Sequence, residues 1–236
     1  MMRLAMTTLA LAPLLVVQGW YVKRITPRLP EAEGARQGIT GQGQRLRLLV
    51  VGDSAAAGVG AVHQREALVG QLTAELAAQF EVSWLLIAKT GFTTADLLAH
   101  LAQQRSQHFD VAVVSLGVND VTRRVATRHW LKQQQELVEL LATKFGVQKV
   151  LLSAVPPMGH FKALPQPLRW YVGQYAKQFN RQLKKHFDNH AYGYVVSPTA
   201  RFESEFLAKD GFHPSPIAYQ RWAKVVAKEI LQIGLM

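Results

Sequence analysis

The chain has 236 residues, with 27 Lys and Arg against 16 Asp and Glu for a formal charge of +11, 49% hydrophobic residues and no Cys. That balance excludes a disordered tail, a fibrous repeat and a disulfide scaffold, and the missing thiols exclude cysteine nucleophiles and Cys-based zinc sites. A chain of this length buries roughly 70% of its unfolded surface, enough for one domain with a full core and no covalent staple.

The first predicted element is a hydrophobic segment within residues 1–24. Positions 4–22 run 19 residues without a formal charge, about the length that crosses a hydrocarbon core. Trp20 and Tyr21 stand beside Lys23, Arg24 and Arg28 like an interfacial belt. The one A-x-A, Ala10-Leu11-Ala12, is followed directly by Pro13 and makes a poor cleavage site. A retained anchor is therefore expected over a cleaved signal peptide, which would lead to secretion; a helix packed on the protein's own surface is the third reading. Residues 25–45 hold two Pro and four Gly without apolar periodicity and read as a linker.

The domain, residues 46–236, alternates short β-branched runs with longer helical periods. Strands are expected at Leu46–Val51, Val82–Ile87, Val111–Leu116, Val150–Ser153 and Tyr192–Val196. Helices are expected at Ala67–Phe80, from a capping box at Thr93 to Asp96, and near 127–145, 168–187 and 216–232. The alternation predicts a mostly parallel five-stranded sheet covered on both faces, with ligands bound outside the carboxyl ends of its strands.

Four short segments fall at that edge. Gly52-Asp53-Ser54 follows the first strand, where a Ser hydroxyl and the N–H groups of a starting helical turn share one space; an N-capping Ser would look the same. Lys89-Thr90-Gly91 follows the second strand, and Gly91 allows a close backbone approach or a plain turn. Gly117-Val118-Asn119-Asp120 follows the third, offering an Asn amide to an oxyanion and an Asp to hold the loop. Asp210-Gly211-Phe212-His213-Pro214-Ser215-Pro216 places His213 on a loop before a capped helix, three residues from a carboxylate that can orient its ring. Phosphate-loop, dinucleotide and G-x-S-x-G signatures are incomplete. His186 and His190 have helical spacing but no following Glu, so no metal site is expected.

In this order the four segments resemble the four blocks of the SGNH, or GDSL, hydrolase family over residues 46–232. The resemblance implies a flavodoxin-like three-layer α/β/α sandwich and hydrolysis of carboxylic esters or thioesters without a cofactor. It implies Ser54 as nucleophile, His213 as base and Asp210 as its partner. The N–H groups of Ser54 and Gly91 and the amide of Asn119 would form the oxyanion hole. Lys89-Thr90 before Gly91 departs from the small or amide residues more usual there.

The substrate expected is a small-molecule ester that is lipid-like, a lysophospholipid or short-acyl. The Pro-rich apolar loop 155–171 borders the site, and its Met158, Phe161 and Trp170 are candidate substrate-lining residues. Residues 1–50 and 121–236 are basic and 51–120 acidic, so an anionic membrane surface is a possible partner, whereas nothing suggests nucleic-acid binding. Oligomeric state is not readable from the sequence. Deacetylation of carbohydrate or envelope polymers by the same machinery, and a non-catalytic ligand- or membrane-binding domain, are the alternatives.

Overall fold

The computed structural model describes residues 2–197 and 203–233, with the side chains of residues 2–10 excepted. Helix α1 (Met2–Ile25) comes first and passes through Pro13 without ending. Then follow β1 (Gln37–Thr40), β2 (Gln44–Gly52), α2 (Leu68–Leu76), β3 (Phe80–Ala88) and α3 (Thr94–Gln103). The rest of the chain adds β4 (Val111–Ser115), α4 (Val118–Thr122), α5 (Thr127–Phe145), β5 (Lys149–Ser153), α6 (Leu168–Phe187), β6 (Gly193–Val196) and α7 (Pro216–Gln232).

The sheet has six strands in the order β1-β3-β2-β4-β5-β6. The five expected strands are all present and parallel, in the flavodoxin-type order 2-1-3-4-5. The sixth corrects the expectation of five: Gln37–Thr40, inside the stretch read as linker, pairs antiparallel with β3 from Gln37 opposite Leu85 to Thr40 opposite Val82. Four residues with only one of them sheltered carry no period-2 signal, so this strand is set by its partner and not by its own pattern.

The second correction is at α2, which stops at Leu76 where a helix through Phe80 was expected. Phe80 instead opens β3, paired with Gln44, and the turn between them is pressed against the chain ahead of β2. A Cβ on Gly41, at φ +87°, would lie 2.3 Å from the Phe80 carbonyl oxygen and 2.8 Å from the Ala77 backbone. The apolar stripe continued past the point where this docking ends the helix.

Side chains alternate across each strand, dividing the core in two. Leu49, Val51, Ala112, Val114, Val150 and Leu152 face α3, α5 and α6. Leu48, Val50, Val111, Val113 and Leu151 face α2 and α7. On the first face Trp130 of α5 stacks on Phe179 of α6 with ring centroids 4.1 Å apart. Burying each such Leu or aromatic contributes about 1.5–3 kcal/mol, so the two layers fix the strand ends that carry the site.

Helix α1 leans on this core through one stripe, with Leu15 buried and Leu11 and Val22 partly so. Gln18, on the same stripe, donates to the Gln166 carbonyl at 2.7 Å and accepts from the Leu168 N–H at 3.0 Å. Leu14, Val16, Val17, Trp20, Tyr21 and Ile25 remain exposed. Among the described residues no helix is long and apolar enough to cross a membrane; the side chains of the first part of the expected anchor, residues 4–10, lie outside them.

Candidate active site

The sheet changes winding direction at β2, which has β3 on one side and β4 on the other, so the crevice for a ligand opens at the carboxyl ends of these strands. Gly52 ends β2 there. A Cβ on it would lie 2.2 Å from the Ser115 carbonyl oxygen, and the Asp53 N–H donates to that same carbonyl at 3.1 Å. The chain then turns tightly: Ala57 N–H bonds to Asp53 O and Val59 N–H to Ser54 O, while Asp53 Oδ1 accepts from the Ala55 N–H at 3.0 Å. Asp53 thus caps the turn, and Ser54 occupies its first position, facing outward from the strand end.

The opposite wall is the segment before α7. Ala208 N–H bonds to the His213 carbonyl at 2.8 Å, Gly211 takes a left-handed φ of +66°, and Leu207 and Pro214 form an antiparallel bridge. Ser215 Oγ accepts from the Ala218 N–H and donates to the Glu205 carbonyl, and Pro216 occupies the first helical turn. This tight turn returns Asp210 to His213. His213 Nδ1 lies 2.5 Å from Asp210 Oδ2, and its Nε2 lies 3.0 Å from Ser54 Oγ. With Asp210 accepting at Nδ1–H, Nε2 is left as the acceptor for the Ser54 hydroxyl.

Asp210 is buried, which raises its carboxyl, but bonds from the His213 ring and from the N–H groups of His213 and Phe212 outweigh this. Its carboxyl sits below its ordinary value and stays ionised. The two loops meet where Gly60, at φ +105°, passes the Pro214 carbonyl; a Cβ there would lie 2.1 Å from that oxygen. Tyr219 Oη donates to the Val59 carbonyl at 2.7 Å and fastens α7 to the same loop.

The other two segments reach the same edge. Asn119 Nδ2 donates to the Phe92 carbonyl at 2.9 Å and lies 3.5 Å from Asp53 Oδ2, so its amide stands beside the Gly-Asp-Ser turn. Gly91 has φ +88° with open space where a Cβ would be, and its carbonyl accepts from Arg123 at 2.9 Å. Asp120 does hold the loops: its carboxylate accepts from the N–H and hydroxyl of Thr94, tying α4 to the start of α3. Burial raises its carboxyl, as it does that of Asp53, which is pushed up to about 7 with a further contribution from Asp120 and opposition from the Ala55 N–H and His213.

From Ser54 and His213 a cavity of about 240 Å³ extends toward β5, β6 and α6. Its walls are mainly apolar, with Leu116, Val155, Phe161, Phe206, Phe212 and Trp222 among them. Of the three residues expected to line it, Phe161 does. Met158 is fully buried in the core beneath the loop, and Trp170 is 42% exposed, neither being part of the wall. A run of apolar residues marks a packed loop without saying which side chains turn toward the site. His186 and His190 both pack against Phe187, and His190 Nδ1 accepts from the N–H groups of Tyr192 and Gly193.

Sequence reasoning missed a brace under Gly91. Glu31 accepts from both the N–H and the hydroxyl of Thr90 at 2.7 Å, and Arg36 bonds to Glu31 and to the Ala88 carbonyl. Both residues lie in the stretch read as linker. An isolated Glu and Arg among Pro and Gly give no periodic signal that could have singled them out.

The comparisons with known proteins agree with this architecture. Residues 50–221 match the model of the GDSL-like lipase/acylhydrolase family. No protein among the curated ones matches in sequence. Among solved structures, a carbohydrate acetylesterase from Sinorhizobium meliloti superposes with a TM-score of 0.63 at 18% identity, covering 80% of this chain and 100% of that one. A lipase from a goat rumen metagenome gives 0.62 at 21%, covering 78% and 96%. An acetylxylan esterase from Geobacillus stearothermophilus gives 0.59 at 20%, covering 80% and 95%. At these identities the likeness is one of fold, whereas the family match spans most of the chain and contains all four segments of the candidate site. The chain belongs to the GDSL-like lipase/acylhydrolase family and is a carboxylic ester hydrolase.

Proposed function

We propose that the protein is a serine esterase acting through an acyl-enzyme on Ser54, with lipid-like or short-acyl esters, lysophospholipids among them, as substrates. The observation that carries the reading is the continuous chain from Asp210 through His213 to Ser54 Oγ at 2.5 and 3.0 Å. As Ser54 attacks the ester carbonyl, its proton passes to His213 Nε2, and the imidazolium is balanced by the ionised Asp210. The oxyanion that forms takes hydrogen bonds from the N–H groups of Ser54 and Gly91 and the amide of Asn119. His213 then protonates the departing alcohol. Water, deprotonated by the same ring, attacks the acyl-enzyme, releases the acid and restores Ser54.

The apolar wall of the cavity supports an acyl chain as its occupant. Its 240 Å³ falls below the roughly 300–1,000 Å³ usual for ligand sites, which suits a short acyl group within it, the longer chain of a lysophospholipid extending beyond its walls. A second reading, O-deacetylation of a carbohydrate, is supported by the likeness of the fold to acetylxylan and carbohydrate acetylesterases.

The test is a fluorophosphonate added to the full-length protein, followed by intact mass. One adduct per chain, absent in Ser54→Ala and His213→Ala, is expected; no adduct on folded protein would leave a binding domain as the better account. Rates on 4-nitrophenyl esters of increasing chain length against acetylated xylan then separate the two substrate classes.

We further propose that α1 attaches the enzyme to a membrane. The exposed Trp20, Tyr21 and Ile25 beside Lys23, Arg24 and Arg28, with the Arg24 guanidinium 5.5 Å from the Trp20 ring centre, support contact with anionic headgroups. Sedimentation with anionic vesicles, lost on deleting residues 1–28, is the expected result.

A further inference from the structure

We propose that Lys177 makes this a site for esters that carry an anionic group, a carboxylate or a phosphate, on the part of the substrate held in the cavity. The inference rests on the esterase reading and adds a substrate class to it.

Helix α6 supplies one wall of the cavity through Ala176, Lys177 and Asn180. These positions share a face of the helix, one turn apart. Asn180 is already committed: its Oδ1 accepts from the Val155 N–H and its Nδ2 donates to the Val155 carbonyl, both at 2.8 Å, so it shapes the wall and has little left for a ligand. Ser153, across the cavity, accepts from the indole N–H of Trp222. Lys177 differs from both. It lines the cavity yet is exposed, and among the described residues no carboxylate pairs with it.

Among the described residues the other charged or titratable groups in the wall are Asp53 and His213, and Asp53 is buried beneath the Gly-Asp-Ser turn. Among the described residues, everything else that lines the cavity from β4, β5, the loop 154–161 and the start of α7 is uncharged. An anion entering this mainly apolar cavity meets, among the described residues, one cation that no carboxylate already neutralises.

The rest of α6 works in the same direction. The helix carries Arg169, Lys177, Arg181, Lys184 and Lys185 and not one Asp or Glu. Lys177, Arg181, Lys184 and Lys185 fall at i, i+4, i+7 and i+8, so they form a single exposed ridge that begins at the cavity mouth. A ridge of one sign leading to a cleft raises the encounter rate of oppositely charged substrates, in a manner that salt suppresses.

The experiment compares kcat/KM for matched pairs of esters on the full-length protein, the Lys177→Met, Lys177→Glu and Lys177→Arg variants checked for equal thermal midpoints. Mono-4-nitrophenyl glutarate against 4-nitrophenyl pentanoate places the charge on the acyl side. 4-Acetoxybenzoate against 4-methylphenyl acetate places it on the alcohol side. In at least one pair the ratio of anionic to neutral ester is expected to fall about tenfold in Lys177→Met, further in Lys177→Glu, and to hold within about threefold in Lys177→Arg. The pair that responds says which half of the ester the cavity holds. Ratios unchanged within twofold in both Lys177→Met and Lys177→Glu, or a fall as large in Lys177→Arg as in Lys177→Met, would overturn the assignment while the esterase reading stands. Protein that turns over none of the four esters and takes no fluorophosphonate would overturn both.

Discussion

On the β2 side of the site the backbone leaves no room for a side chain, since a Cβ on Gly52 or Gly60 would lie 2.2 or 2.1 Å from a carbonyl oxygen of the neighbouring segment. On the β5 side the same sheet edge opens into a cavity of about 240 Å³ whose walls are side chains. The proposed chemistry therefore depends on main-chain fit, which tolerates almost nothing, and the choice of substrate depends on side chains that can be exchanged.

The contrast can be broken most severely at its centre. Ser54→Ala and His213→Ala should each lower kcat by about 10⁴-fold or more with the thermal midpoint nearly unchanged, measured on 4-nitrophenyl butyrate beside a melting curve. Gly60→Ala attacks the main-chain fit itself. It must place a methyl group against the Pro214 carbonyl at a left-handed φ, so a loss of at least about 2 kcal/mol and a midpoint lower by roughly 5–10 °C are expected, together with a displaced His213 and little remaining turnover. An unchanged midpoint would mean that the two loops separate more easily than their packing implies.

Asn119→Ala removes one oxyanion donor and should lower kcat by about 10²–10³-fold in a folded protein, with KM barely altered. At the edge of the tight region, Asp53→Asn tests the cost of a buried carboxyl. The folded value is raised to about 7 from an ordinary 3.8, so between those pH values the unfolded chain has released a proton that the folded chain still holds. Stability therefore falls as pH rises through that window, and the fall ends once the folded group also ionises. Chemical denaturation from pH 4 to pH 8 should show a flatter profile in Asp53→Asn than in the wild type.

The smallest effect belongs to the open side: Phe161→Ala should shift chain-length preference toward longer acyl groups by a few-fold, whereas Trp170→Ala should not shift it. A Trp170 effect equal to that of Phe161 would mean that the substrate reaches beyond the cavity wall.

The same division explains what was legible in the sequence. The parallel strands are apolar runs, buried on both faces throughout β4 and over most of β2 and β5, and Thr93 and Ser215 announce helix starts through their own hydroxyls, so these elements and the approach of Ser54, Asp210 and His213 could be read in advance. Gly60 could not be read, because its requirement is set by a carbonyl more than 150 positions away. Glu31, Arg36 and the strand Gln37–Thr40 were hidden for a similar reason: their order comes from Thr90, Ala88 and β3, all distant in sequence. Met158 and Phe161 lie three residues apart in one apolar loop, and only the packing of that loop decides that one enters the core and the other the cavity.

Ser54 and His213 stand 159 positions apart, and α7, which fastens their loops together through Tyr219 and Val59, follows all six strands of the sheet in sequence. During synthesis the sheet around Ser54 can form while His213 has yet to emerge from the ribosome, so the hydroxyl exists for a time without its proposed base. On the proposed mechanism, a chain that stops short of His213 and α7 is expected to be hydrolytically silent even when most of its core has formed. Turnover in a cell-free translation reaction would consequently report chains extended through α7 and not merely initiated ones.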